Sequence, residues 1–198
     1  MSKRSELLDF ALLGLLHDGP THGYELRRRL NEALGAFRAL SYGTLYPALS
    51  GLLDRGLIAQ QPSSVPPALR PGSAPSGRSP GRNRIVYEIT IAGKEAFEEA
   101  ARRTDTAAYD DDGFGVRLAF FARTEADVRM RILEGRRSRV QEQLETVRRN
   151  AGRGRERLDS WTAALQRHGE ESTEREVRWL TELIDAERRH PTDPGPQP

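Results

Sequence analysis

The sequence predicts a mainly helical protein with a small β-element, and three observations carry that prediction. Apolar residues recur at helical spacing through most of residues 5–56 and again through 125–187. Only two short runs, 57–61 and 84–91, have strand character. Between those runs, residues 62–83 hold six of the twelve prolines with abundant Ser and Gly, a composition from which no core can be built.

The first helix is marked by Leu7, Leu8, Ala11, Leu12, Leu15 and Leu16, with Phe10 and Leu13 on the other side. Such a helix is apolar nearly all round and must be buried on most faces. Asp18-Gly19-Pro20 is a turn. Thr21 is the expected N-cap of a second helix running to about Ala33, with Leu26, Leu30, Ala33 and Leu34 inward and Tyr24, Arg27 and Arg28 on the polar side. Ser41 is the expected cap of a third helix that stops at Gly56, with Leu45, Leu49, Leu52 and Leu53 as its core stripe. At roughly 100° per residue, Gly43, Thr44, Pro47, Ser50 and Gly51 share its opposite face. Exposed helical faces normally carry Lys, Glu and Gln, so a face of Gly, Thr, Pro and Ser gives up helix propensity. Close approach to another surface, such as a DNA major groove, is a reason to accept that loss. Pro47 removes a backbone hydrogen bond, a loss best tolerated near a helix start.

Two strands joined by the 62–83 loop, after three helices, make a winged unit. Charge favours a polyanion partner for it. Residues 1–90 hold 11 Lys/Arg against 7 Asp/Glu, while residues 91–198 hold 20 against 22. Arg70, Arg78, Arg82 and Arg84 lie in a stretch without a carboxylate, which suits phosphate contact. His22, at the expected start of the second helix, reads as a capping or phosphate-facing residue.

A further helix is expected over residues 90–103, broken at 107–115, where Asp110, Asp111 and Asp112 form a solvated loop rather than a calcium site. Phe114, Leu118, Phe120 and Phe121 then cluster. From Glu125, Ala126, Met130, Leu133, Val140, Leu144, Val147 and Ala151 advance by fours and threes, interrupted by Arg137. Leu158, Trp161 and Leu165 continue that register past Gly152 and Gly154, glycines that suggest a bend or break. Val177, Leu180, Ile184 and Glu187 repeat it in the last helix, with Trp179 and Leu183 beside the seam. Stripes of this kind mark helices packing on helices. With 36% hydrophobic and 30% charged residues, a thin helical molecule is expected to finish its core by pairing with a second copy.

Several classes are excluded. Without cysteine there is no thiolate nucleophile, disulfide or cysteine-ligated zinc, and a reducing cytoplasm is the expected location. No nucleophile elbow, Walker loop or dinucleotide fingerprint is present. The histidines at 17, 22, 168 and 190 have no metal-binding spacing, so neither metal nor cofactor is expected. The apolar run 7–16 is too short to span a bilayer and lacks a signal-peptide cleavage site, so no membrane partner is expected.

Four blocks, His22-Gly23-Tyr24-Glu25-Leu26, Gly43-Thr44-Leu45-Tyr46-Pro47-Ala48-Leu49, Leu53-x-x-Gly56-Leu57-Ile58 and Tyr87-x-Ile89-Thr90-x-x-Gly93-Lys94, together resemble the PadR family. The resemblance covers residues 5–103 and departs from the family in its longer wing. It implies a winged helix-turn-helix domain over 1–104, with 62–83 as a flexible wing loop. A C-terminal helical dimerisation domain over 105–190, similar to that of the larger subgroup, and a disordered tail at 191–198 complete the expected organisation. It further implies a homodimer that binds double-stranded DNA at a palindromic operator, usually as a repressor; a winged-helix regulator of another family, or an activator, is the alternative. The expected DNA contacts are Tyr24, Arg28, Ser41, Tyr42, Gly43, Thr44, Tyr46, Pro47, Arg78, Arg82 and Arg84. The expected dimer contacts are Leu144, Val147, Trp161, Trp179, Leu180, Leu183 and Ile184. A small-molecule effector, where one binds, is expected near Phe114, Phe121 and Trp161, although aromatics at this spacing more often form core.

Overall fold

In the computed structural model, which describes residues 2–34, 44–62, 85–154 and 159–189, Ser2 opens helix α1 (Lys3–Leu16), its hydroxyl accepting a hydrogen bond from the Ser5 amide at 3.3 Å. Every residue from Leu8 to Leu16 is buried, as the all-round apolar pattern predicts. That run includes Asp9, whose carboxylate accepts a 2.6 Å hydrogen bond from Arg55.

The turn after α1 uses Gly19 at φ 127°, and the chain then departs from expectation. Thr21 does not cap a helix. It begins a short strand, β1 (Thr21–His22), and its hydroxyl donates to the Gly19 carbonyl at 3.0 Å. Helix α2 follows at once over Gly23–Leu34, burying Leu26, Leu30 and Leu34, whereas Ala33, expected inward, is exposed. Helix α3 (Leu45–Asp54) buries Leu45, Leu49 and Leu52. It stops where Gly56 takes φ 68°, a left-handed conformation that glycine adopts without a Cβ clash. Pro47 is the third residue of α3, a position with no intrahelical donor to lose. Ser41, Tyr42 and Gly43 lie outside the described residues.

Strands β2 (Ile58–Pro62) and β3 (Ile85–Ile89) are close to the expected runs, but the sheet has three strands, in the order β1-β3-β2, all antiparallel. Tyr87 stands opposite Thr21 on one side and Gln60 on the other. Thr90 leaves the sheet as the cap of α4 (Ile91–Ala101), accepting the Gly93 amide at 3.1 Å while its own hydroxyl donates toward the Gly56 and Leu57 carbonyls. Phe97 of α4 stacks on Phe10 of α1 with centroids 4.9 Å apart. The four helices and the sheet form one of two units, Met1–Ala101; the other is Arg102–Pro198.

The second unit begins with two short helices, α5 (Thr106–Tyr109) and α6 (Phe114–Leu118), and a 3-10 turn at Phe121–Arg123. The acidic triplet is a turn in which the Asp110 carboxylate accepts the amides of Asp112 and Gly113. Helices α7 (Ala126–Gly154) and α8 (Ser160–Arg189) make up the rest, so Gly152 and Gly154 lie in the last turn of α7. Asp159 caps α8, accepting the Trp161 and Thr162 amides at 2.9 and 3.0 Å. Ion pairs set the two helices antiparallel, since Arg129 meets Glu187, Arg136 meets Glu176 and Arg148 meets Glu170. Their core joins Val128, Ile132, Leu133 and Val140 of α7 to Leu180 and Ile184 of α8, with Ala108 and Phe114 beneath. Among the described residues, no helix is long and apolar enough to cross a membrane, and no cluster of His, Cys, Asp or Glu is arranged to hold a metal ion.

Candidate nucleic-acid interface

Core packing of α3 determines what the helix leaves outside. With Leu45, Leu49 and Leu52 turned in, Thr44, Tyr46, Pro47 and Ser50 are exposed and Ala48 and Gly51 half-buried. A Cβ added at Gly51 would meet nothing within 4 Å. One flank of this face, Thr44, Pro47 and Gly51, forms a wall of a groove of about 300 Å³ whose other wall is Arg4, Leu8 and Asp9 of α1. This flank is therefore small in both senses: its side chains are short, and a neighbouring surface can come close to its backbone.

Tyr46 lies on the other flank, 55% exposed, and Tyr24 of α2 is 69% exposed. A glycine makes this arrangement fit. A Cβ at Gly23 would crowd the Tyr87 ring at 3.3 Å and touch the Tyr46 ring at 3.8 Å, an ordinary van der Waals distance. Tyr87 itself is buried, and that burial raises its phenol pKa above 10.0, so it stays neutral. The start of α2, the start of α3 and the centre of β3 thus meet at one point, with two exposed phenols around it. His22 is held here too, its Nδ1 3.2 Å from the Ile85 carbonyl at the root of the wing. It therefore binds the sheet rather than capping a helix.

Arg28 lies one turn beyond Tyr24 on the same helix, and its guanidinium is engaged. Its Nε and Nη2 donate to the two oxygens of Glu25 at 3.0 and 2.6 Å. Arg29 donates to the same carboxylate at 3.1 Å. The bonds from Arg28, and then those from Arg29, pull the Glu25 carboxyl down to about 2 from an ordinary 4.5. Near α3, burial pushes the Asp9 carboxyl up despite its Arg55 partner.

The structure thus brings together Tyr24, Thr44, Tyr46 and Pro47 of the expected DNA contacts, with Arg28 alongside but already paired. Ser41, Tyr42, Gly43, Arg78, Arg82 and Arg84 lie outside the described residues, as do the wing loop, Leu158 and the tail. Sequence reading missed Tyr87 and Gly23 as the support of Tyr46, because their meeting depends on β1 pairing with β3.

The expected dimer contacts divide in two. Leu180 and Ile184 are fully buried within the chain itself, packed against α7. Leu144 is also buried, while Val147 and Leu183 are half-buried. The apolar stripe of α8 meets the antiparallel α7 of the same chain. The aromatics outside that core are Trp161, 84% exposed, and Trp179, 37% exposed. Of the residues named for an effector, Phe114 belongs to the core, its ring edge-on to Trp179 at 6.1 Å and under the Arg136 guanidinium at 5.5 Å. Phe121 packs half-buried on the same core. Arg129, almost fully buried, ties this unit together through Glu187 and the Phe121 and Thr124 carbonyls.

Residues 12–68 match the model of the transcriptional regulator PadR-like family. Among curated proteins, the negative transcriptional regulator PadR of Bacillus subtilis (strain 168) is 38% identical over 52 residues, covering 26% of this chain and 29% of that protein. The matched segment thus spans less than a third of the relative's length. Among solved structures, Bacillus subtilis PadR in complex with operator DNA aligns with 90% of this chain and 98% of its own at 18% identity and a TM-score of 0.41. The same protein in complex with p-coumaric acid aligns with 91% and 98% at 18% identity and 0.40.

Proposed function

From the match of residues 12–68 to the transcriptional regulator PadR-like family, we propose that this chain is a PadR-like regulator that binds double-stranded operator DNA as a homodimer and represses transcription. The carrying observation is the outward face of α3: Thr44, Tyr46, Pro47 and Ser50 exposed, with Tyr24 of α2 on the adjoining surface. Short side chains let the helix backbone approach base edges, and phenols at its margin suit phosphate oxygens. Arg78, Arg82 and Arg84 of the wing add phosphate contacts in this reading. Repression is the reading favoured by the matched relative, itself a negative regulator. The organisation proposed is a winged unit over residues 1–104 and a dimerising helical unit over 105–190, reading a palindrome whose half-sites lie about one DNA turn apart. A small-molecule effector belongs to the same reading.

The test is fluorescence anisotropy with duplexes tiled across the DNA upstream of the protein's own gene. A dimer should select one palindromic segment over random duplex. Thr44→Glu should abolish that selectivity, because it sets a carboxylate among phosphates and base edges, while far-UV circular dichroism stays unchanged. Full operator affinity in a folded Thr44→Glu protein would remove α3 from the groove.

A further inference from the structure

Arg28 was expected to contact DNA, yet it is held by its own helix. Glu25 takes both arms of the Arg28 fork, the geometry that makes arginine–carboxylate pairs strong, and shares an oxygen with Arg29. Further acids stand behind: Glu32 lies 3.4 Å from Arg28, and Asp18 lies 3.9 Å from Arg29. Two cations therefore face three carboxylates on the surface that carries Tyr24. Sequence spacing shows the i,i+3 and i,i+4 pairs, but only the structure shows that one carboxylate occupies the whole fork of Arg28.

We propose that Glu25 is a specificity-determining residue, a built-in competitor for phosphate that withholds Arg28 from DNA met at random and yields it only at the operator. The proposal rests on the DNA-binding reading above. Phosphate contacts carry no sequence information, so a freely offered arginine strengthens every complex alike. An arginine already in a forked pair is different. It changes partner only for an oxygen pair of comparable geometry, and a fixed register of α3 in the groove supplies one. A sliding, non-specific complex fixes no phosphate opposite Arg28, so nothing there offsets the loss of the Glu25 pair. The low Glu25 pKa fits this role, since the competitor stays fully charged at any physiological pH.

The experiment measures log affinity against log salt for the full-length dimer on random-sequence duplex and on operator. Glu25→Gln should steepen the random-duplex slope by about 0.9 per arginine–phosphate pair formed, about 1.8 if Arg28 is released in both subunits. The gain over wild type should then grow about tenfold between 200 and 50 mM salt, and the operator-to-random ratio should fall. Arg28→Ala in the Glu25→Gln background should restore the wild-type slope. Arg28→Ala alone should weaken operator binding and leave random binding unchanged. Glu99→Gln, on the exposed face of α4, makes the same charge change without touching Arg28 and should leave the slope alone. An unchanged slope in Glu25→Gln, an equal steepening in Glu99→Gln, or a steep slope that survives loss of Arg28 would overturn the proposal while leaving DNA binding intact. A wild-type protein that binds no duplex would instead overturn the functional reading on which it rests.

Discussion

Replacing Gly93 with alanine tests how the winged unit is closed. Gly93 sits in the first turn of α4 with its Cα against the Leu57 carbonyl. An added Cβ would fall 2.0 Å from that oxygen and 2.8 Å from the Ile89 side chain, whereas such contacts are held above 3.0 Å. The obstacle on the carbonyl side is backbone, so α4 and the start of β2 must part by at least about 1 Å. The same carbonyl accepts the Thr90 amide at 3.1 Å and the Thr90 hydroxyl at 3.0 Å, and both bonds stretch with it. Overpacking contributes about 1–3 kcal/mol and two weakened hydrogen bonds about 0.5–1.5 kcal/mol each. Against these, alanine recovers up to about 1 kcal/mol of helix propensity. The balance is a destabilisation of about 3 kcal/mol, which shifts a urea midpoint by about 1.5 M at a slope near 2 kcal/mol/M. Far-UV circular dichroism in urea measures it. Gly51→Ala is the control: a Cβ there meets nothing, so the change should stabilise α3 by up to about 1 kcal/mol. A Gly93→Ala midpoint equal to wild type, or a Gly51→Ala protein equally damaged, would refute the packing argument.

Arg55→Ala should destabilise the first unit at neutral pH by about 1–2 kcal/mol, less than a deeply buried pair would lose because Arg55 is 38% exposed and its charge is screened. Burial already raises the Asp9 carboxyl above its ordinary 3.8, and a raised acid favours folding below its unfolded value and loses that contribution as pH rises through its folded one. The deficit of Arg55→Ala should therefore shrink as pH falls toward 4 and Asp9 takes up a proton. Thermal melts across that range check the trend, and a deficit independent of pH would contradict it. In the second unit, Leu180→Ala should cost about 2–5 kcal/mol of stability through a cavity between α7 and α8. Trp161→Ser with Leu165→Ser, at exposed positions, should instead leave the melt in place and weaken self-association in sedimentation velocity. The reverse pattern would place the subunit contact on the Leu180 side.

Much of this molecule was legible in local pattern. The all-round apolar run of α1, the leucine stripe of α3 with its small outer face, the stop at Gly56, and the long stripes of α7 and α8 depend on neighbours within a turn or two of helix, which a periodicity records. Thr21 was not legible. Its propensity suits a helix cap, and it became a strand because the Tyr87 backbone, distant in sequence, offers hydrogen-bond partners beside it. The meaning of the α8 stripe was not legible either. A stripe states that a face must be covered but not by what, and the antiparallel register of α7 claims Leu180 and Ile184 while leaving Trp161 outside. Gly93 belonged to a recognisable block, yet only the Leu57 carbonyl pressed against it explains why glycine stands there. The sequence by itself determined which faces are apolar, small or charged, because those are properties of side chains at fixed spacing. The tertiary structure decided which partner each face meets, because that depends on closing loops between residues the spacing does not relate.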